Sequence, residues 1–159
     1  MITSKQILIL FFLSAIFIKC NGQNYKILSK RIILLNKQSK IYAFENDTNS
    51  IYINFLGVIK TKKNKRFKII TIKNVWGINK HTNAYIWIYN YKNEYMGRYV
   101  LGDSKDLPIK LKGNNLIFSN QEKGCSKLFF SKVNFYFGIK YKMQLPTCGG
   151  MGDIYQFEK

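Results

Sequence analysis

The chain has 159 residues, of which 26 are basic and 8 acidic, giving a formal net charge of +18 at pH 7. This length suits one domain with a real hydrophobic core, while the presence of only two prolines and the lack of internal repeats exclude a stalk or a repeat array. Self-repulsion at this charge must be offset by a solid core or by bound anions. Either a selected basic surface or a codon bias towards lysine, asparagine and isoleucine accounts for the composition.

The N-terminus predicts an export signal. Lys5 supplies a positive charge, and Ile7–Ile18 is a run dominated by large apolar residues. The run is about twelve residues long, shorter than the ~20 needed to span a bilayer as a helix. We therefore expect residues 1–22 to be a signal peptide cleaved after Gly22, with residues 23–159 as one mature domain. A retained short anchor is the alternative, and no later segment is apolar for long enough to cross a membrane as a helix.

Cleavage at this point affects both the charge and the cysteines. The mature chain would keep 24 basic and 8 acidic residues, a net charge of +16. Cys20 allows a second interpretation, a lipoprotein acylated on this residue, although Lys19 is a poor fit to the small residue that usually precedes such a cysteine. We expect a secreted, periplasmic or cell-envelope protein, with a lipid anchor at Cys20 as the minor alternative.

Two cysteines, Cys125 and Cys148, remain in the mature chain. An even pair in an oxidising compartment predicts one disulfide bond. The bond would close a loop of about 23 residues and stabilise the fold by roughly 3 kcal/mol on the chain-entropy model. The glycine-rich segment around Cys148 is then interpreted as a tight turn.

Period-two alternation and β-branched or aromatic residues dominate the mature chain, which predicts strands throughout. The sequence indicates an all-β fold, a single antiparallel β-sandwich or small β-barrel of roughly 8–10 strands. Turn-forming residues separate the segments, for example at residues 45–50 and 113–115. The expected strand segments are residues 24–35, 39–44, 51–59, 67–75, 84–91, 95–101, two short strands within 107–119, one or two within 126–145, and 153–159.

A cluster of basic residues lies between two of these strands and forms the densest charge feature of the chain. We call it the basic hairpin tip, and it consists of Lys60, Lys62, Lys63, Lys65, Arg66 and Lys68. It could neutralise several phosphates, sulfates or uronates, and such binding would weaken with salt. The alternative is a solvated loop whose lysines keep the protein soluble and discourage edge pairing.

Aromatic residues alternate along the expected strand at residues 84–91. We call this set the aromatic ladder, and it consists of Tyr85, Trp87, Tyr89 and Tyr91. In a strand all four point to one face, opposite an aliphatic face that suits a core. Exposed rings of this kind stack on sugars or nucleobases, whereas buried rings would form cross-strand pairs.

Catalytic patterns are weak. The chain has one histidine, His81, and a pairing with Cys148 would require a free thiol. Asp103 and Asp106 are close in sequence, and a carboxylate pair could act as an acid–base couple, but the composition of their segment predicts a turn. We expect no catalytic residues, no metal site and no cofactor.

The features together favour an exported, non-catalytic β-domain that binds an anionic polymer or surface such as an acidic glycan, a lipopolysaccharide or DNA. The basic hairpin tip and the aromatic ladder are the candidate contacts. The alternative is an envelope protein that uses its aromatic face to bind another protein. A weaker third hypothesis is a small hydrolase that uses Asp103 or Asp106.

Overall fold

The computed structural model describes residues 24–120, 129–146, 150 and 152–159. The expected signal peptide at residues 1–22, with Cys20, lies outside the described residues, and so do Cys125 and Cys148. Export, lipidation and the disulfide bond therefore stay predictions.

The described part of the chain forms one α-helix, ten strands and one 3₁₀ turn at Ser104–Asp106. The helix, α1, spans Asn24–Leu35. The strands are β1 (Ile41–Glu45), β2 (Asn49–Lys60), β3 (Arg66–Trp76), β4 (His81–Asn90), β5 (Tyr95–Leu101), β6 (Pro108–Lys112), β7 (Asn115–Asn120), β8 (Phe129–Asn134), β9 (Lys142–Leu145) and β10 (Asp153–Glu158).

The strands form two antiparallel sheets. A seven-stranded sheet has the order β1-β2-β3-β4-β5-β10-β9, and a three-stranded sheet has the order β6-β7-β8. Within the described residues neither sheet closes into a barrel. The all-β prediction is confirmed, in the form of an open two-sheet arrangement with one short helix.

The first core lies between the two sheets. It is built from the aliphatic face of β4, including Ile86 and Ile88, together with Tyr99 from β5. Leu116 and Phe118 of β7 approach from the small sheet. This contact buries the aliphatic residues of the alternating pattern, as the sequence predicted.

The second core lies on the opposite face of the large sheet, under helix α1. Ile32 and Ile33 of the helix are buried in one cluster with Ile53 and Phe55 of β2, and with Trp87 of β4. The large sheet is thus covered on both faces, by a small sheet on one side and by a helix on the other.

Helix α1 corrects the prediction that Asn24–Leu35 is a strand. Its inward residues are spaced three and four apart, with Ser29, Ile32 and Ile33 buried and Leu28 packed against the core. This spacing aligns them on one face of a helix. The β-branched isoleucines are tolerated because packing against the sheet outweighs a weak intrinsic preference.

Antiparallel pairing sorts the turns to two ends of the large sheet. The β2–β3 and β4–β5 turns share one end, because Phe67 pairs with Asn90 next to both turns. The β6–β7 turn joins them, since the Lys60 backbone N–H donates to Asn114 Oδ1 at 3.0 Å. We call this the basic end. The β1–β2 and β3–β4 turns and the 3₁₀ turn lie at the opposite end, which we call the far end.

Candidate functional site

The basic hairpin tip is an ordered turn. The Thr61 N–H donates to the Lys65 carbonyl at 2.9 Å, and the Asn64 N–H donates to the Thr61 carbonyl at 2.9 Å. Asn64 adopts a positive φ of 56°, which asparagine tolerates better than most residues. The pattern resembles a common three-residue hairpin loop. The neighbouring lysines are therefore displayed from a defined backbone.

The charges of the tip face solvent. Five of its six basic side chains are exposed, and Lys68 is half-buried, with its ammonium group donating to Asn93 Oδ1. Among the described residues the one ion pair joins Arg98 and Glu158, neither of which belongs to the tip. No carboxylate in the described part of the chain pairs with a tip side chain, so within that part the positive charge faces solvent.

A loop at residues 135–141 lies beside the tip, and we call it the aromatic loop. Phe135 is buried in the first core, while Tyr136 and Phe137 are exposed. The Phe137 ring is 84% exposed. Gly138 follows with a φ of 128°, in the region that favours glycine, and its N–H donates to the Phe135 carbonyl at 3.0 Å. The loop therefore turns sharply just after its exposed rings.

The aromatic loop is attached directly to the tip. The Lys62 N–H donates to the Tyr136 carbonyl at 2.7 Å, and the Lys62 ammonium lies 5.9 Å from the centre of the Phe137 ring. On the other side, the buried Tyr99 hydroxyl donates to the Lys140 carbonyl. Burial also raises the pKa of Tyr99 above its ordinary value. Cation and exposed ring thus form one surface.

Two further turns extend this surface. Tyr91 in the β4–β5 turn is 64% exposed, with the Lys92 ammonium 5.8 Å from its ring centre. Lys112 and Lys140 are exposed beside the β6–β7 turn and in the aromatic loop. Phe137 was not predicted as a contact. The signal for it is the run Phe135–Gly138, three aromatic residues before a turn-forming glycine in a segment predicted to form strands.

Acidic residues concentrate at the far end. Five of the eight acidic residues of the chain lie there: Glu45, Asp47, Asp103, Asp106 and Asp153. The basic end has Glu94 and Glu158, the second of which pairs with Arg98 at 3.2 Å. Glu122 lies outside the described residues. The described protein is electrically polarised along its strands.

The aromatic ladder does not form one exposed face. Trp87 is 4% exposed and Tyr89 is fully buried under helix α1, while Tyr85 is half-buried. The Trp87 ring contacts Tyr25 edge-on, with 6.4 Å between ring centres, and Tyr95 at 5.0 Å. Burial raises the pKa of Tyr89. The stacking geometry expected for the four rings is therefore wrong for Trp87 and Tyr89, because the helix covers them, and Tyr91 is the ring that faces solvent.

The two candidate catalytic carboxylates cap the 3₁₀ turn. The Asp103 side chain accepts the Lys105 N–H, and Asp106 Oδ2 accepts the Asp103 N–H at 3.2 Å. Partial burial alone would raise the pKa of Asp103, but hydrogen bonds from Lys105 and Ser104 outweigh it and lower that pKa. The Tyr155 hydroxyl donates to Asp106 Oδ2 at 3.0 Å. Both carboxylates are engaged in holding this turn.

His81 has no acidic or thiol partner of the kind catalysis would need among the described residues. Its ring lies beside Trp76, with 5.0 Å between ring centres. Within that same part of the chain, no three histidine, cysteine, aspartate or glutamate residues are grouped so that they could hold a metal ion. No helix there has the length and apolar character needed to cross a membrane.

A polar cavity of about 280 Å³ opens at the far end, beside helix α1. Trp76 Nε1 donates to the Asn83 amide oxygen at 3.1 Å when that amide is oriented to satisfy both groups. The cavity walls contain no charged side chain. They consist of Tyr25, Asn49, Ile51, Asn74, Trp76 and Asn83. This uncharged cavity does not extend the cationic surface of the basic end.

No family model matches the chain, and neither the comparison with curated proteins nor that with solved structures finds a match. The interpretation of the basic end therefore rests on its own geometry and charge.

Proposed function

We propose that the protein is an exported, non-catalytic domain that binds an anionic polymer or surface through its basic end. One observation carries this proposal, the direct attachment of the exposed Phe137 loop to the lysine-rich turn at Lys62. Cations supply long-range attraction, and a neighbouring exposed ring supplies short-range contact. The tip and Tyr91 remain candidate contacts, and Tyr136 and Phe137 join them.

The charge distribution supports the same proposal. The far end holds most of the described carboxylates, so an anionic ligand is attracted more strongly to the basic end than to the far end. The alternative of a protein partner that binds the aromatic ladder is less well supported, because helix α1 covers Trp87 and Tyr89. The hydrolase reading is also less well supported, because Asp103 and Asp106 cap a turn.

The test measures retention of the purified protein on an acidic glycan, on DNA, on anionic lipid vesicles and on a neutral glycan, at low and at physiological salt. The tip variant changes Lys62, Lys63 and Lys65 together to serine. A matched control removes the same charge elsewhere, with Lys73→Ser, Lys80→Asn and Lys105→Ser; asparagine suits Lys80 because its φ is 51°.

We expect the tip variant to lose at least tenfold in affinity for its best anionic ligand, and the control to lose less than about threefold. The expectation follows from roughly 1 kcal/mol for each basic residue close to an anionic surface. Equal losses in the two variants would show that only net charge matters, and the proposal of a site at the basic end would fail.

A further inference from the structure

We infer that the basic end binds an anionic lipid surface, with the Phe137 ring entering the interfacial layer while the basic hairpin tip contacts the headgroups. The inference rests on the proposed function, because it names the partner of the same site. It commits to a membrane over a nucleic acid or a glycan, and three structural features support that choice.

The first feature is the arrangement of the exposed rings. Tyr136 and Phe137 are edge-on, with an interplanar angle of 77° and 5.2 Å between ring centres. Nucleobases and sugars stack on flat aromatic faces, and two perpendicular rings do not make a continuous flat platform. A phenyl group also has no polar atom with which to read a base or a sugar hydroxyl. An apolar layer suits Phe137 better than a stacked ligand.

The second feature is that the exposure of Phe137 is built into the backbone. Phe135 is buried before it and Ile139 is packed against the core after it. Between these anchors, Tyr136 accepts a hydrogen bond from the Lys62 N–H and Gly138 donates one to Phe135. The loop holds the ring out in water, where an apolar group of this size is unfavourable. Entry into a lipid interface would remove the ring from water without reorganising the loop.

The third feature is the one-ended distribution of charge. Lysine stems are apolar and flexible, so their ammonium groups can reach lipid phosphates while a nearby ring lies deeper. The exposed tyrosines, Tyr91 and Tyr136, have the apolar body and polar tip that are favoured at membrane interfaces. The acidic residues at the far end would point away from the membrane. A planar surface requires such a one-ended arrangement, whereas a flexible polymer can follow several faces.

The first experiment uses tryptophan fluorescence as a depth gauge. The native tryptophans are unsuited to contact lipid, because Trp87 is 4% exposed and Trp76 lies at the far end. Phe137→Trp places a reporter at the proposed contact. With vesicles of anionic phosphatidylglycerol carrying brominated acyl chains, we expect the emission of Phe137→Trp to shift to shorter wavelength and to be quenched. The wild type should show little quenching.

Intact mass first checks that both proteins have the same N-terminus, so that the difference between them reports on position 137. Vesicles of zwitterionic phosphatidylcholine should quench the tryptophan fluorescence of neither the wild type nor Phe137→Trp. Quenching of Phe137→Trp that does not exceed the wild-type value on anionic vesicles would overturn the inference.

The second experiment measures affinity for the same vesicles by sedimentation. Phe137→Ser should weaken binding about fivefold to tenfold, because it removes an aromatic ring that would be partly buried in the lipid interface. Ile78→Ser is the matched control, because Ile78 is 98% exposed but lies in a turn at the far end. The control should bind like the wild type. A loss for Ile78→Ser equal to that for Phe137→Ser would contradict the proposed orientation.

The two proposals fail in different ways. Glycan or DNA binding that needs the tip lysines, with vesicle binding unaffected by Phe137→Ser, would reject the lipid surface and keep the anion-binding function. Absence of binding to glycan, DNA and anionic vesicles alike would reject both.

Discussion

Trp87 and Tyr91 lie on one strand and its turn, yet they have opposite environments. Trp87 is buried under helix α1 and contacts Tyr25 and Tyr95, whereas Tyr91 is 64% exposed at the basic end. A ring in a packed core stabilises the fold because folding removes its apolar area from water, whereas an exposed ring gives little such stabilisation. The two residues therefore separate a contribution to stability from the proposed contribution to binding.

Trp87→Ala is expected to lower the free energy of unfolding by about 3–5 kcal/mol, because it removes a large buried side chain and leaves a cavity. Tyr91→Ala is expected to change it by no more than about 0.5 kcal/mol, since the ring is mostly exposed. Urea denaturation followed by circular dichroism measures both values. Equal effects of the two substitutions would contradict the covering of β4 by the helix.

Asp103 is a capping residue in the structure, and its substitution tests that role. Asp103→Ala is expected to lower the free energy of unfolding by about 1 kcal/mol at pH 7, as loss of a cap does. Asp47→Ala, in the exposed β1–β2 turn, serves as the comparison and should change little. An assay that found turnover by this protein, abolished by Asp103→Asn, would instead support the hydrolase reading.

The same residue sets an expected pH dependence. Its folded-state pKa is lowered from the ordinary value of 3.8, so its contribution to stability is present above that value. The contribution is lost as the pH falls through the lower folded-state pKa. Unfolding curves of wild type and Asp103→Ala should therefore converge at low pH and differ at pH 7. A constant difference down to pH 2 would contradict the cap as the cause.

At the scale of elements, the position of the aromatic loop depends on a few hydrogen bonds to the neighbouring strands. The Tyr99 hydroxyl, buried in the first core, donates a hydrogen bond to the Lys140 carbonyl. The Phe157 N–H donates to the Tyr141 carbonyl at 2.9 Å. These contacts tie the loop to β5 and β10. The orientation of Phe137 therefore depends on strands that are distant from it in sequence.

Tyr99→Phe is expected to remove about 1 kcal/mol of stability, the usual contribution of one hydrogen bond. The Gly138 N–H, which bonds within the loop, should exchange with solvent faster than in the wild type. Hydrogen exchange followed by mass spectrometry measures this, with Tyr91→Phe as a control that keeps the exposed ring. Unchanged protection of the loop in Tyr99→Phe would show that the other anchors suffice.

For the whole molecule, buried tyrosines predict a limit of stability at high pH. Burial is the largest cause that raises the pKa of Tyr89, Tyr99 and Tyr155 above the ordinary value of 10.0. A phenol with a raised folded-state pKa contributes stability that is complete below pH 10 and is lost as the pH rises further. These rings should therefore ionise only as the protein unfolds.

The expected outcome is that part of the tyrosine absorbance change near 295 nm coincides with the loss of β-structure seen by circular dichroism above pH 10. Lysine deprotonation in the same range relieves repulsion and acts in the opposite direction, so a high-salt series separates the two effects. Complete tyrosine ionisation near pH 10 in a protein that keeps its fold would contradict the burial of these rings.

Local patterns in the sequence determined most of the strands. Alternating residues predicted β2 to β5 and β10 to within a few residues, because in a strand the side-chain period is two whatever the neighbour. The same alternation correctly assigned Ile86 and Ile88 to a core face. The same approach wrongly predicts a strand for helix α1, because its β-branched isoleucines favour strands while its inward residues are spaced three and four apart.

The sequence by itself determined that this is a basic, strand-rich domain with a lysine cluster in one hairpin turn, because these properties depend on composition and short-range spacing. Only the tertiary structure decided which rings face water. Trp87 is covered by residues about sixty positions earlier in the chain, and Phe137 is brought to Lys62 by the return of the chain after β8. Exposure depends on what packs over a residue, and a strand pattern cannot specify its neighbours across the fold.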